Sequence, residues 1–99
     1  MSLLENLKEI QTKAVDEKVI EFAEKMEGLI TDSATKGYSG FRYQIQNEDP
    51  NKHIMCSKTF IEKLQMLMGG VKVDYKKEER KGLFNLSYYE HYIHFKWND

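Results

Sequence analysis

Histidine and cysteine side chains occur in two short pairs whose chemistry suits a metal ion. Two residues separate His53 from Cys56, and two separate His91 from His94. Imidazole and thiolate are common zinc ligands, and this separation is common in structural zinc sites. However, His91 and His94 lie in or beside a predicted strand, where side chains three apart point to opposite faces. We therefore interpret these residues as surface imidazoles and a small buried thiol, and we expect no metal and no other cofactor.

Cys56 is also a candidate nucleophile. It precedes a predicted helix N-terminus, which lowers a thiol pKa, and a histidine could act as its base. No sequence signature of a catalytic cysteine flanks it, so a buried, unreactive thiol is the better interpretation. We therefore predict that the protein is not an enzyme. The single cysteine also excludes an intrachain disulfide, which fits a reducing cytoplasm.

A polar, net basic surface is predicted on one face of a sheet, opposite the face that helices cover. Its charged and aromatic residues are Arg42, Lys72, Lys76, Tyr92, His94 and Lys96. Proteins that bind single-stranded nucleic acid combine such charge with stacking rings. A solvated face is also the ordinary state of an antiparallel sheet, and lysine on a strand prevents edge pairing. Nucleic-acid binding at this face is therefore our alternative hypothesis.

Residues 36–43, KGYSGFRY, superficially resemble the consensus of the RNA-recognition motif. The match is out of register, because Tyr38 and Phe41 would point to opposite faces of a regular strand. That family also begins with a strand, whereas this chain begins with a helix. The chain is therefore not assigned to it.

The elements that position these residues are organised around residues 57–75. An apolar stripe at helical spacing consists of Phe60, Ile61, Leu64, Leu67 and Met68. Ser57 or Thr59 can cap this helix, and Gly69-Gly70 supplies the left-handed backbone that ends it. Apolar residues then alternate with polar ones from Val71 to Tyr75. The pattern predicts a helix packed on one face of a sheet.

Three further segments alternate like strands: residues 38–46, 83–88 and 92–97. The apolar phase changes between the last two, and a bulge or turn near residues 89–91 would absorb the change. The charged segment 76–82 suits a hairpin tip. The predicted fold class is α+β in the order α-β-α-β-β, with a three- or four-stranded, mainly antiparallel sheet and helices on one face. We favour insertion of the last strand between the first two.

A long helix is predicted from a capping box at Ser2 and Glu5 to Ile30. Its apolar stripe rotates by roughly 100° along the sequence, so either a bend near Asp16 separates two helices or one helix changes the surface that it faces. A straight helix of about 43 Å would project from a compact domain about 25–30 Å across. The residues left in need of another partner are Leu3, Leu4, Leu7 and Ile10.

Length and charge limit the classes of function. The 99 residues are expected to form one domain, residues 1–99, and the net charge of −1 excludes a globally basic nucleic-acid binder. No apolar run approaches the roughly 20 residues of a membrane span, so we expect a soluble, cytoplasmic protein without a membrane partner. Our main hypothesis is an accessory protein that binds a protein partner and forms a homo-oligomer, such as a homodimer, through its N-terminal helix.

The composition and two segments point to a group of proteins. The chain is rich in Lys, Glu, Ile, Asn and Tyr, it passes from helix to strand in GGVKVDY, and it carries YYEHYIHFKW near its end. In these features it resembles small uncharacterised proteins of bacteriophages and prophages in low-GC Gram-positive bacteria. The resemblance implies a compact α+β accessory protein that binds and modulates another macromolecule, and it transfers no site residues.

Overall fold

A computed structural model describes residues 2–97 of the chain. Its helices and strands are α1 (Leu3–Thr35), β1 (Gly40–Ile45), α2 (Lys52–Met55), α3 (Lys58–Leu67), β2 (Lys72–Lys81) and β3 (Ser87–Lys96), and a tight turn at Leu83–Asn85 joins β2 to β3. The strands form one antiparallel sheet in the order β1-β3-β2. The predicted α+β class and element order are confirmed, and the last strand lies between the first two.

The predicted helix-to-strand unit is present between α3 and β2. The Oγ of Ser57 accepts a hydrogen bond from the Phe60 N–H at 3.2 Å, so Ser57, and not Thr59, caps α3. Gly69 and Gly70 have φ of 52° and 94°, the left-handed backbone that glycine adopts without strain. They release the chain from the helix and direct it into the sheet.

The hydrophobic core lies between one face of the sheet and helices α1 and α3. Its most completely buried large side chains are Val19, Met26, Ile45, Phe60, Leu64, Ile93 and Phe95. In the strand register, Phe41 and Val73 both lie opposite Phe95, so the apolar alternates of all three strands share this face. The ring of Phe22 on α1 meets Tyr43 edge to face, with centroids 5.1 Å apart. The sheet therefore has one covered face and one open face.

Helix α1 is continuous over 33 residues and ends at Thr35, beyond the predicted end at Ile30. At about 1.5 Å per residue it is about 50 Å long. Its buried side chains begin at Val19, and every residue from Ser2 to Ala14 is exposed. The radius of gyration is 15.8 Å, against about 13 Å for a compact domain of this length. The first turns of α1 thus project from the body of the protein.

The hairpin formed by β2 and β3 differs from the prediction. Residues 76–82, expected as its tip, belong almost entirely to β2, and the register runs unbroken from Lys72 opposite Lys96 to Lys81 opposite Ser87. The turn lies at Leu83–Asn85 instead, and no bulge or turn interrupts β3 near residues 89–91. The apolar phase changes because the hairpin extends beyond the helices. Neither of its faces is covered there, and Tyr88 lies on the open side of the sheet.

Candidate interaction surfaces

The first three turns of α1, residues 3–14, form what we name the N-terminal arm. The Oγ of Ser2 accepts a hydrogen bond from the Glu5 N–H at 3.2 Å and caps it. The four predicted partner-binding residues lie on it and are all exposed: Leu3 (72% exposed), Leu4, Leu7 and Ile10. Spacings of four and three residues bring Leu3, Leu7 and Ile10 onto one side of the helix. The arm therefore presents an uncovered apolar stripe.

A groove between α1 and α3 was not predicted from the sequence. This α1–α3 groove has a volume of about 460 Å³ and is lined by Ile20, Ala23, Glu24, Glu27, Ile30, Thr31, Leu67, Met68, Gly69 and Val71. Met66 flanks it and is 82% exposed. The sequence interpretation placed Leu67 in the packed stripe of α3. A ten-residue helix buries only a narrow face, here Phe60 and Leu64, and Leu67 falls outside it.

Residues 82–86 form the hairpin tip, which was also not predicted as an apolar surface. Leu83, Phe84 and Leu86 are all exposed there, and Phe84 is 93% exposed. The Leu86 N–H donates to the Leu83 carbonyl at 3.3 Å, and both central residues, Phe84 and Asn85, have φ of 61°. This is a type I′ turn, which favours Asn-Gly because both central residues must be left-handed. A bulky residue in that conformation costs roughly 1–2 kcal/mol.

The six residues predicted to bind nucleic acid share the open face of the sheet. Arg42 and Asp74 both lie opposite His94, and Lys76 lies opposite Tyr92. Lys72 and Lys96 also lie opposite each other, at the exposed end of this face. The predicted grouping of these side chains therefore matches the strand register.

The single predicted stacking ring on the open face is covered. Tyr92 is only 8% exposed, because the Arg42 guanidinium lies over its ring, 4.8 Å from the centroid. Its hydroxyl donates to the Glu90 carboxylate. That hydrogen bond, with help from Arg80, holds the pKa of Glu90 below its ordinary value. Arg42 in turn pairs with Glu78 at 3.3 Å, so acidic side chains neutralise part of the positive charge.

His91 and Cys56, two residues with reactive side chains, both lie next to Tyr75 on the covered side of the sheet. The Tyr75 hydroxyl is hydrogen-bonded to Nδ1 of His91, and the two rings stack with centroids 5.9 Å apart. Burial, followed by the neighbouring half-buried Cys56, raises the pKa of Tyr75 to about 12. Burial and the nearby Lys52 and Lys77 ammonium groups lower the pKa of His91. The neutral forms of phenol and imidazole are both favoured here.

The two pairs with zinc-ligand spacing do not come together as one site, although Cys56 and His91 both lie next to Tyr75. His94 is on the open face of β3 and His91 on the covered face, as a separation of three residues in a strand requires. Within residues 2–97, no three His, Cys, Asp or Glu side chains come together in an arrangement that could hold a metal ion.

Comparisons with known proteins give no relative from which a function could be transferred. No family model, no curated protein and no solved structure matches the chain. Among the described residues, no helix combines the length and the apolar character needed to cross a bilayer. Function is therefore inferred from the surfaces themselves.

Proposed function

We propose that the protein is a non-enzymatic accessory protein that self-associates through its N-terminal arm and binds a protein partner. The supporting observation is the apolar stripe of Leu3, Leu7 and Ile10 on a helix segment that projects into solvent. Burying each such side chain is worth about 1.5–3 kcal/mol. Burial of the stripe against a second surface would therefore be strongly favoured.

A second copy of the arm is the simplest cover for this stripe. The alternating spacing of four and three residues in Leu3, Leu7, Ile10 and Ala14 is that of a seam between two packed helices. Pairing about a two-fold axis covers both stripes with one contact. Because the arm is only about 18 Å long, we expect a dimer that depends on concentration.

In this proposal, the protein partner binds to a surface outside the N-terminal arm. The sequence resemblance to phage and prophage accessory proteins supports a role in modulating another macromolecule. In this proposal the protein acts in the cytoplasm, where the single Cys56 would stay reduced.

The self-association proposal is tested by the mass of the protein in solution. Light scattering should give about twice the 11.7 kDa of one chain for the unmodified protein and 11.7 kDa for the double variant Leu7→Glu, Ile10→Glu. The control is Thr12→Glu, which adds one negative charge on the opposite side of the arm and should stay dimeric. A monomeric unmodified protein, or a double variant of unchanged mass, would contradict the proposal.

Single-stranded nucleic-acid binding at the open face is the alternative function class. Lys72, Lys76 and Lys96 are exposed there, but the covered Tyr92 ring gives this alternative less support. A mobility-shift assay with a single-stranded oligonucleotide separates the two. A shift that weakens with salt and with Lys72→Glu, Lys96→Glu would favour the alternative, whereas no shift at low salt would eliminate it.

A further inference from the structure

The hairpin tip places its most apolar side chain where the backbone disfavours it. Phe84 has φ of 61° and is almost fully exposed, so packing does not compensate for the strain. Asn-Gly would close the same type I′ turn without that cost. A strained, exposed aromatic residue points to a role in recognition, because a purely structural turn gains nothing from it.

The α1–α3 groove has the size and character to receive such a side chain. An enclosed apolar cavity of about 150 Å³ holds a benzene molecule. The groove, at about 460 Å³, has room for a phenyl ring together with a leucine side chain. Its apolar walls come from both helices and from Val71, which directly precedes β2, and they include Ile20 and Leu67.

The charges beside the two surfaces are opposite. The groove is lined by Glu24 and Glu27 and by no lysine or arginine. In the part of the chain that the structure describes, neither glutamate lies within 4 Å of a cationic group. Lys81 immediately precedes the hairpin tip and is likewise without an ion-pair partner among residues 2–97. Lys77 lies on the same face of β2, with Glu79 between the two lysines.

We propose that the hairpin tip of one copy docks into the α1–α3 groove of a second copy. Phe84 enters the α1–α3 groove, with Leu83 or Leu86 beside it. Lys81 then lies near Glu24 and Glu27. The occupant is a second copy because the chain itself presents both an apolar tip with an adjacent cation and an apolar groove with adjacent anions. The contact uses no residue of the N-terminal arm, so it stands or falls independently of the arm dimer.

Charge reversal tests the docking in a chain whose arm pairing has been removed by Leu7→Glu, Ile10→Glu. At concentrations well above those at which light scattering finds this chain monomeric, sedimentation velocity should show a second, weaker association. Lys81→Glu alone, or Glu24→Lys with Glu27→Lys, should weaken it at least tenfold. Mixing the two variant chains should restore association, because each tip then meets a groove of opposite charge. A monomeric parent chain at all concentrations, or a mixture no stronger than its components, would overturn the docking.

Two turn substitutions distinguish recognition by Phe84 from a structural role. Phe84→Asn relieves the left-handed strain, so it should raise the melting temperature and weaken association at least tenfold. Asn85→Gly also relieves the turn but keeps the phenyl ring, so it should leave association unchanged. If Phe84→Asn lowers the melting temperature and leaves association unchanged, the tip is structural and the docking is excluded.

Discussion

At the scale of single residues, the clearest chemical signature belongs to Tyr75. Its phenol lies at the edge of the core, where the sheet extends beyond the helices. The hydroxyl is hydrogen-bonded to the His91 ring. Burial favours the neutral phenol and raises its pKa from 10.0 to about 12. The same burial lowers the pKa of His91, so the pair is held uncharged.

Titration of tyrosinate by ultraviolet absorbance should therefore show a late component near pH 12 that Tyr75→Phe removes. The folded state keeps a proton that the unfolded state releases above pH 10. The stability that Tyr75 contributes is therefore fully present below pH 10 and is lost as the pH rises towards 12. Tyr38→Phe, which alters an exposed ring, is the control and should leave the late component in place. A Tyr75→Phe titration that retains it would contradict the assignment.

The sequence assigned most single residues to the correct face but could not give their exposure. Alternation placed Tyr92 on the open face, and the register agrees. Its burial depends on Arg42 of the neighbouring strand reaching diagonally over the ring. Such a contact requires the strand order and register, which alternation in one strand does not contain.

At the scale of elements, Gln65 joins α3 to the edge of the sheet. Its Nε2 donates to the Val71 carbonyl and its Oε1 accepts from the Val73 N–H, both at 2.7 Å. β2 is an edge strand, so these backbone groups have no neighbouring strand on that side. The side chain thus supplies the pairing that the ladder lacks and fixes where β2 starts.

We expect Gln65→Ala to lower the free energy of unfolding by about 1–3 kcal/mol, because it leaves two partly buried backbone groups without partners. Urea denaturation measures the change. Gln11→Ala, on the exposed part of α1, is the matched control and should change stability by less than about 0.5 kcal/mol. Equal effects of the two substitutions would show that the Gln65 bridge contributes nothing specific.

Elements that a local sequence pattern specifies were predictable. Elements whose pattern depends on which face is buried by other parts of the protein were not. The double glycine after α3 and the alternation from Val71 to Tyr75 identified the helix, its end and the strand. The turn at Leu83–Asn85 was missed, because the charged segment 76–82 looks like a loop. Alternation identifies a strand only where one face is buried, and this part of the hairpin is exposed on both faces.

At the scale of the whole molecule, two segments extend beyond a small hydrophobic core. The N-terminal arm and the hairpin both project, and the principal extents are 50 × 41 × 20 Å. Exposed apolar residues concentrate on the arm, on the groove and on the hairpin. This distribution is the reason for proposing that these surfaces are covered when the protein self-associates. Helix geometry predicted that a straight α1 would project, because no domain of this size could cover all of it, but the apolar pattern left open a bend near Asp16 and ended the helix at Ile30, five residues before its end at Thr35.

Self-association through the N-terminal arm is tested most directly by hydrogen exchange of the arm's amides, measured by mass spectrometry over a range of protein concentrations. A helical segment of this length is marginal in water without tertiary contacts. Pairing of two arms predicts exchange that slows as the concentration rises, and that stays fast at every concentration in the Leu7→Glu, Ile10→Glu variant. Exchange in the unmodified protein that is equally fast at all concentrations would contradict self-association through the arm.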